Sequence, residues 1–146
     1  MRHLFLITFL LRHQVLAAKP TQTEQQAIDY QVLTEGLEHP WSLAFLPDGR
    51  FLVTERPGRL RMVEANGRLI PQVIEGLPEI EASGQGGLLD VVLHPDFGTN
   101  RWVYFSFNEA GRGGMGTAVA RGRLQGMRLY DTEVLFRLAP KSTTSQ

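Results

Sequence analysis

Cysteine is absent from the 146 residues. That excludes a disulfide framework, a thiolate nucleophile and any cysteine-ligated zinc or iron–sulfur centre. Net charge is absent as well, with 15 basic and 15 acidic residues, so the chain is not built to coat nucleic acid or an anionic membrane. No apolar run approaches the roughly 20 residues that a membrane-crossing helix needs. Long stretches without a structure breaker are also missing. All 15 glycines lie between Gly36 and Gly126, and from Gly36 to Gly98 no gap between consecutive Gly or Pro residues exceeds eight. Helices fit poorly into such intervals, so strands and turns are expected to fill them.

The apolar content of 42% is enough for a packed core. The N-terminus stands apart. Met1-Arg2-His3 is a basic start, Leu4 to Leu11 is apolar except for Thr8, and Val15-Leu16-Ala17-Ala18 offers small residues to a signal peptidase. This three-part pattern reads as a secretory signal over residues 1–18, with an unstructured tail as the alternative. Its removal leaves a net charge of −2. Residues 19–29 read as a polar linker.

From residue 30 the turn chemistry is dense. Pro47-Asp48-Gly49, Pro57-Gly58 and Asn66-Gly67 are tight-turn sequences. They separate four short strands near 41–46, 51–55, 59–64 and 69–74, after a first one at 30–34. Pro71 marks the fourth of these as an edge strand or a bulge. A second set follows: 87–93, a nearly continuous apolar run as expected for a strand covered on both faces, then 102–107, 117–124 and 132–137. Residues 111–116 read as a glycine-rich connection. Ala44-Phe45-Leu46-Pro47-Asp48 aligns with Val92-Leu93-His94-Pro95-Asp96 at an offset of 48, and Arg50-Phe51-Leu52-Val53 with Arg101-Trp102-Val103-Tyr104 after a three-residue insertion. Four antiparallel strands repeated at a period near 45–50 are the signature of β-propeller blades. The expected fold is therefore all-β, with about two blades over residues 30–146; a β-sandwich or open barrel is the alternative. A propeller closes with at least four blades, so the chain is expected to be part of a larger assembly or gene, and to self-associate through its open blade faces.

Few residues carry chemistry by pattern. Gly84-Gln85-Gly86-Gly87 lets backbone approach another group closely, and Gln85 offers two donor hydrogens and one acceptor. It reads either as a group orienting a ligand or as an exposed glutamine on a flexible loop. Asp90 interrupts the apolar run, and a buried carboxylate needs hydrogen bonds or a wet channel. His39 and His94 each precede a proline and read as turn or packing histidines; no histidine pair has metal-ligand spacing. Arg56, Arg59, Arg61, Arg121 and Arg123 read as solvated strand-edge residues.

Several longer runs, in order, resemble one family. They are Leu37–Arg50 (LEHPWSLAFLPDGR), Val53–Leu60 (VTERPGRL), Gly84–Val91 (GQGGLLDV) and Leu93–Phe97 (LHPDF). They are similar to the soluble aldose sugar dehydrogenases of the glucose/sorbosone type that use pyrroloquinoline quinone. The resemblance covers about residues 30–146. It implies a six-bladed propeller, a quinone near the axis, calcium, and a periplasmic or secreted location. It implies oxidation of an aldose at C1 to a lactone, with an external electron acceptor reoxidising the quinone. It assigns Gln85 to contact with the sugar. The catalytic histidine, the calcium ligands and the cations holding the quinone are expected beyond Gln146, so the chain alone is expected to be inactive. A non-catalytic propeller module that binds a partner is the alternative function, because a scaffold does not fix an activity.

Overall fold

The structure is a computed structural model that describes residues 21–22, 27–28 and 31–141. The secretory pattern, most of the linker, Tyr30 and residues 142–146 lie outside the described residues. Two units are distinct, residues 1–32 and 33–146. In the first, strands β1 (Thr21–Gln22) and β2 (Ala27–Ile28) pair antiparallel. The second holds β3 (Pro40–Phe45), β4 (Phe51–Glu55), β5 (Arg59–Val63), β6 (Leu88–Leu93), helix α1 (Phe97–Asn100), β7 (Trp102–Gly111), β8 (Gly114–Gln125) and β9 (Arg128–Arg137).

The strands form two antiparallel meanders, β3-β4-β5 and β6-β7-β8-β9. Tight turns shape the first meander, whereas in the second β6 joins β7 through α1 and only the later strands join by short turns. The Leu46 N–H bonds the Arg50 carbonyl across Pro47-Asp48-Gly49, and the Gly67 N–H bonds the Glu64 carbonyl. The first meander lacks a regular fourth strand. Residues 69–74 touch β5 only at the bridges Val63↔Leu69 and Leu60↔Ile74, because Pro71 donates no hydrogen bond between them. The expected strand at 30–34 is absent over its described residues 31–34, which carry no regular structure. The expected connection at 111–116 is mostly strand: β7 and β8 run on to Gly111↔Gly114 and leave only Arg112-Gly113 as the turn.

One apolar core fills the space between the meanders. Leu52, Leu60, Met62 and Ile74 of the first meet Leu88, Val91, Val103, Phe105, Phe107, Ala118 and Ala120 of the second. Strands β7 and β8 alternate strictly. Val103, Phe105, Phe107, Ala118 and Ala120 point into this core, and Tyr104, Ser106 and Val119 point away. Each fully buried large apolar side chain contributes about 1.5–3 kcal/mol. A smaller cluster, Phe51, Val53 and Val63, lies on the other face of the first meander under Leu37 and Leu69.

The ladders correct the repeat alignment. Phe45↔Phe51 and Ala44↔Leu52 in the first sheet correspond to Leu93↔Val103 and Val92↔Tyr104 in the second. The first strands keep the offset of 48, but the second strands are offset by 52, not 51. Four residues are inserted, and α1 is four residues long. Arg101 follows it at φ 60 and returns the chain to the sheet. A one-residue slip exchanges the faces of a strand. In the corrected register Leu52 matches Tyr104 and Val53 matches Phe105.

The inner strands share one irregularity. Both ladders shift register at equivalent places, between Pro40 and Leu43 and between Leu88 and Val91. A bulge leaves an N–H out of the ladder. A hydroxyl on the neighbouring strand takes it in each case: Ser42 N–H bonds Thr54 Oγ1 at 3.0 Å, and Asp90 N–H bonds Ser106 Oγ at 3.1 Å. The bulge also explains Asp90. The run 87–93 is not covered on both faces: Leu88 and Val91 are buried while Asp90 and Val92 are exposed.

One buried charge needs explanation. Glu55 is fully buried on β4. Its carboxylate accepts from Arg59 Nε at 2.6 Å, the Glu38 N–H at 2.6 Å and Arg61 Nη1 at 3.3 Å. Burial by itself raises the Glu55 pKa; the bonds from Arg59, the Glu38 amide and Arg61 outweigh it and hold the carboxyl below the ordinary range. A carboxyl whose folded pKa is lowered stabilises the fold fully above its unfolded pKa, and that contribution is lost as pH falls through the folded value. Glu55→Gln is therefore expected to cost about 1.5–3 kcal/mol at neutral pH and to flatten the acid limb of the stability profile, measured by urea unfolding from neutral pH downward. An unchanged acid limb would contradict this.

Candidate functional site

The loop carrying Gln85 is fixed from both sides. The Gly86 N–H bonds the Ser83 carbonyl at 2.8 Å and closes a turn with Gln85 inside it. Asn108 holds the flanks: its carbonyl accepts from the Glu81 N–H, its side-chain oxygen accepts from the Gly87 N–H at 3.3 Å, and its own N–H bonds the Gly87 carbonyl at 2.9 Å. The Leu88 N–H bonds the Arg56 carbonyl at 3.1 Å and ties the loop to the first meander. Gly87 sits at φ 146, and a Cβ there would stand 2.0 Å from the Arg56 carbonyl oxygen. That approach requires glycine. Gln85 is exposed at the tip, where the chain enters inner strand β6. Its carboxamide can donate two hydrogen bonds and accept at its oxygen.

The same end of the sheets holds His39 and Arg56. His39 is exposed at φ 48, and its carbonyl accepts from the Arg56 N–H at 3.0 Å. This bond is the first-repeat counterpart of Asn108 N–H to Gly87. His94 is at the opposite end of β6. Its Nδ1 accepts from the Asp96 N–H at 3.0 Å, and its ring stacks on Tyr104. The structure therefore separates Gln85 from His94 by the whole of a six-residue strand, about 20 Å. Asp90 is exposed on the face of the second meander away from the first. It lines a shallow hollow of about 200 Å³ with Val92, Tyr104, Ser106 and Val119.

The larger hollow, about 540 Å³, lies at the end remote from Gln85, between the Pro47 turn, α1 and the β8–β9 turn. Its cations are engaged: Arg50 pairs with Asp48 at 2.7 Å, and Arg101 lies over the Phe97 ring. Among the described residues no group of three or more His, Asp or Glu is placed to hold a metal ion, and no helix is long and apolar enough to cross a membrane. The strand-edge reading of the arginines holds in part. Arg121 pairs with Glu133 and, with Arg123, covers the Trp102 ring. Arg61, by contrast, is nearly buried against Glu55.

Sequence comparison places this arrangement. Residues 37–146 match the family model described as Glucose / Sorbosone dehydrogenase. The aldose sugar dehydrogenase YliI of Escherichia coli is 41% identical over 144 residues, covering 96% of this chain and 37% of that protein. A crystal structure of a glucose dehydrogenase aligns with TM-score 0.73 at 52% identity over 77% of this chain and 33% of its own. The PQQ-bound form of the aldose sugar dehydrogenase of Streptomyces coelicolor aligns with TM-score 0.66 at 30% identity over 78% and 34%. The chain thus spans about a third of the length of these relatives, and its two meanders are blades of a β-propeller. It belongs to the glucose/sorbosone dehydrogenase family, whose members include PQQ-dependent soluble sugar dehydrogenases.

Proposed function

We propose that this chain supplies two blades and one wall of the sugar site in a quinone-dependent enzyme that oxidises aldoses at C1 to lactones. The observation that carries the reading is the pinned Gly84–Gly87 loop, which presents an exposed carboxamide at the entry to an inner strand in a chain of this family. Gln85 orients a sugar hydroxyl through donor and acceptor together. Such a contact fixes the ring so that C1 faces its reaction partners.

Oxidation at C1 removes a hydride from carbon and a proton from the hydroxyl. Among the described residues no group of three or more His, Asp or Glu is placed to hold a metal ion, and Arg59 is engaged by Glu55 and Glu38. Neither described histidine is assigned as the base in this reading. His94 is a strand length away and bonded at Nδ1, and His39 matches no catalytic motif. The base, the quinone and calcium belong to further blades in this reading. An external acceptor takes the electrons. The pattern over residues 1–18 supports a periplasmic or secreted location.

Two outcomes are expected. In an active chimera joining residues 37–146 to the remaining blades of the E. coli aldose sugar dehydrogenase, Gln85→Ala should raise the barrier in kcat/KM by about 1–3 kcal/mol, with little change in Tm. Unchanged kinetics would return Gln85 to the role of a bare loop residue. The 146-residue chain alone, with quinone and calcium supplied, should reduce dye no faster than free quinone in the presence of aldoses. Loss of the base alone removes about 10²–10⁴-fold. Turnover above that background would mean that the active site is misplaced.

A further inference from the structure

The Gln85 loop leans on the far end of the β7–β8 hairpin. Asn108 of β7 holds both flanks of the loop. A Cβ on buried Gly86 would stand 3.1 Å from the Met115 sulfur of β8, so Met115 packs over the loop backbone. The support is weak by its own sequence. The regular ladders of β6 and β9 end at Phe107 and Ala118, and residues 108–117 run on as a two-stranded ribbon. Gly111, Gly113, Gly114 and Gly116 fill most of its tip. A two-stranded ribbon is marginal alone, and glycine weakens a strand further. A ribbon of this kind needs a tether from outside.

Lys141 supplies one. Past β9 the Leu138 N–H bonds the Thr117 carbonyl at 2.8 Å, and the chain then lays the Lys141 side chain along the ribbon. Its Nζ donates to the Glu109 carbonyl at 3.3 Å, the Glu109 carboxylate at 2.8 Å and the Ala110 carbonyl at 2.9 Å. All three ammonium protons are thereby used. Arg137 Nε donates to the same carboxylate at 3.1 Å. The Lys141 and Glu109 side chains are each only 16% exposed, so solvent ions screen the pair little.

The glycines make room for the lysine stem. A Cβ at Gly111 would stand 2.7 Å from Lys141 Cδ, and one at Gly116 3.2 Å from Lys141 Cγ. Neither glycine has a positive φ, so these two positions require space rather than an unusual backbone. The routes from the lysine to the loop are short. Ala110, whose carbonyl takes a Lys141 proton, pairs with Met115 across the ribbon. Glu109 adjoins Asn108 in the chain.

We infer that Lys141 is a positioning residue for the sugar contact: by clamping Glu109 and Ala110 it fixes the glycine-rich ribbon that holds the Gln85 loop. Lys141 acts through Gln85 and not on the reacting atoms. The inference rests on the reading that Gln85 contacts the sugar.

The test uses the chimera of residues 37–146 with the remaining blades of the E. coli aldose sugar dehydrogenase. Lys141→Met keeps an apolar stem and removes the three donors. Gly111→Ala keeps the lysine and pushes its stem aside; the atoms its Cβ meets belong to that flexible side chain, so the fold is spared. Each variant should speed amide hydrogen exchange at Gly86 and Gly87 by about tenfold or more, with Val103 and Phe105 unchanged. Each should lower kcat/KM by about threefold to tenfold. In a Gln85→Ala background each should cost less than about twofold, because the group through which it acts is gone. If Gln85→Ala lowers kcat/KM while both variants keep wild-type exchange and rates, the positioning role is overturned and the sugar contact stands. Losses that add to that of Gln85→Ala also overturn it, since Lys141 would then act elsewhere. Wild-type kinetics for Gln85→Ala would overturn the site reading and the positioning role together.

Discussion

The fold depends on a hydroxyl that fills a bulge. Each inner strand carries a bulge, and each bulge strands an N–H. Thr54 and Ser106 take those protons, so a defect in one ladder becomes a fixed point. In the first blade the same hydroxyl reaches the next blade through the Leu89 carbonyl. Register, inner-strand geometry and the spacing between blades then follow from one side chain. The apolar core supplies most of the burial energy and itself opposes a slip of one residue, which would turn its side chains outward; the buried hydroxyl adds to that penalty, because a slip leaves polar groups unpaired.

The site rests on the same geometry. The carbonyl of Arg56, which follows β4, anchors Leu88, and Gly87 allows the close approach. The Gln85 loop is therefore set by the blade-to-blade contact together with its own glycine at position 87. Glu55, one residue before Arg56, is held by Arg59, Arg61 and the Glu38 amide. A buried ion cluster thus stands next to the residue that positions the loop, and the charge is tolerated because hydrogen bonds surround it.

Turn residues and the repeat were legible in the sequence because proline and glycine constrain backbone directly. Pro47-Asp48-Gly49 and Asn66-Gly67 make the expected turns, and Gln85 sits on the loop its glycines suggested. The exact repeat register was not legible. Arg50-Phe51 and Arg101-Trp102 look alike, and side-chain likeness drew the alignment to 51. The four residues of α1, and Arg101 turned to positive φ, absorb the difference. Asp90 looked buried because a bulge is invisible to a count of alternating residues. The pairing of Thr54 with Ser42 had no sequence signal, since both are common small hydroxyl residues. Arg61 looked like an edge cation because its partner Glu55 became buried only through packing of the whole face.

The account turns on the Thr54 hydroxyl, and its most direct measurement is a comparison of two substitutions at that position by urea unfolding at fixed chain concentration. Thr54→Val keeps the shape and removes the hydroxyl, leaving the Ser42 N–H and the Leu89 carbonyl without their partner. It should lower stability by about 1–3 kcal/mol, while Thr54→Ser, which keeps the hydroxyl, should lose less than half as much. Equal stability of Thr54→Val and the wild-type chain would contradict the account.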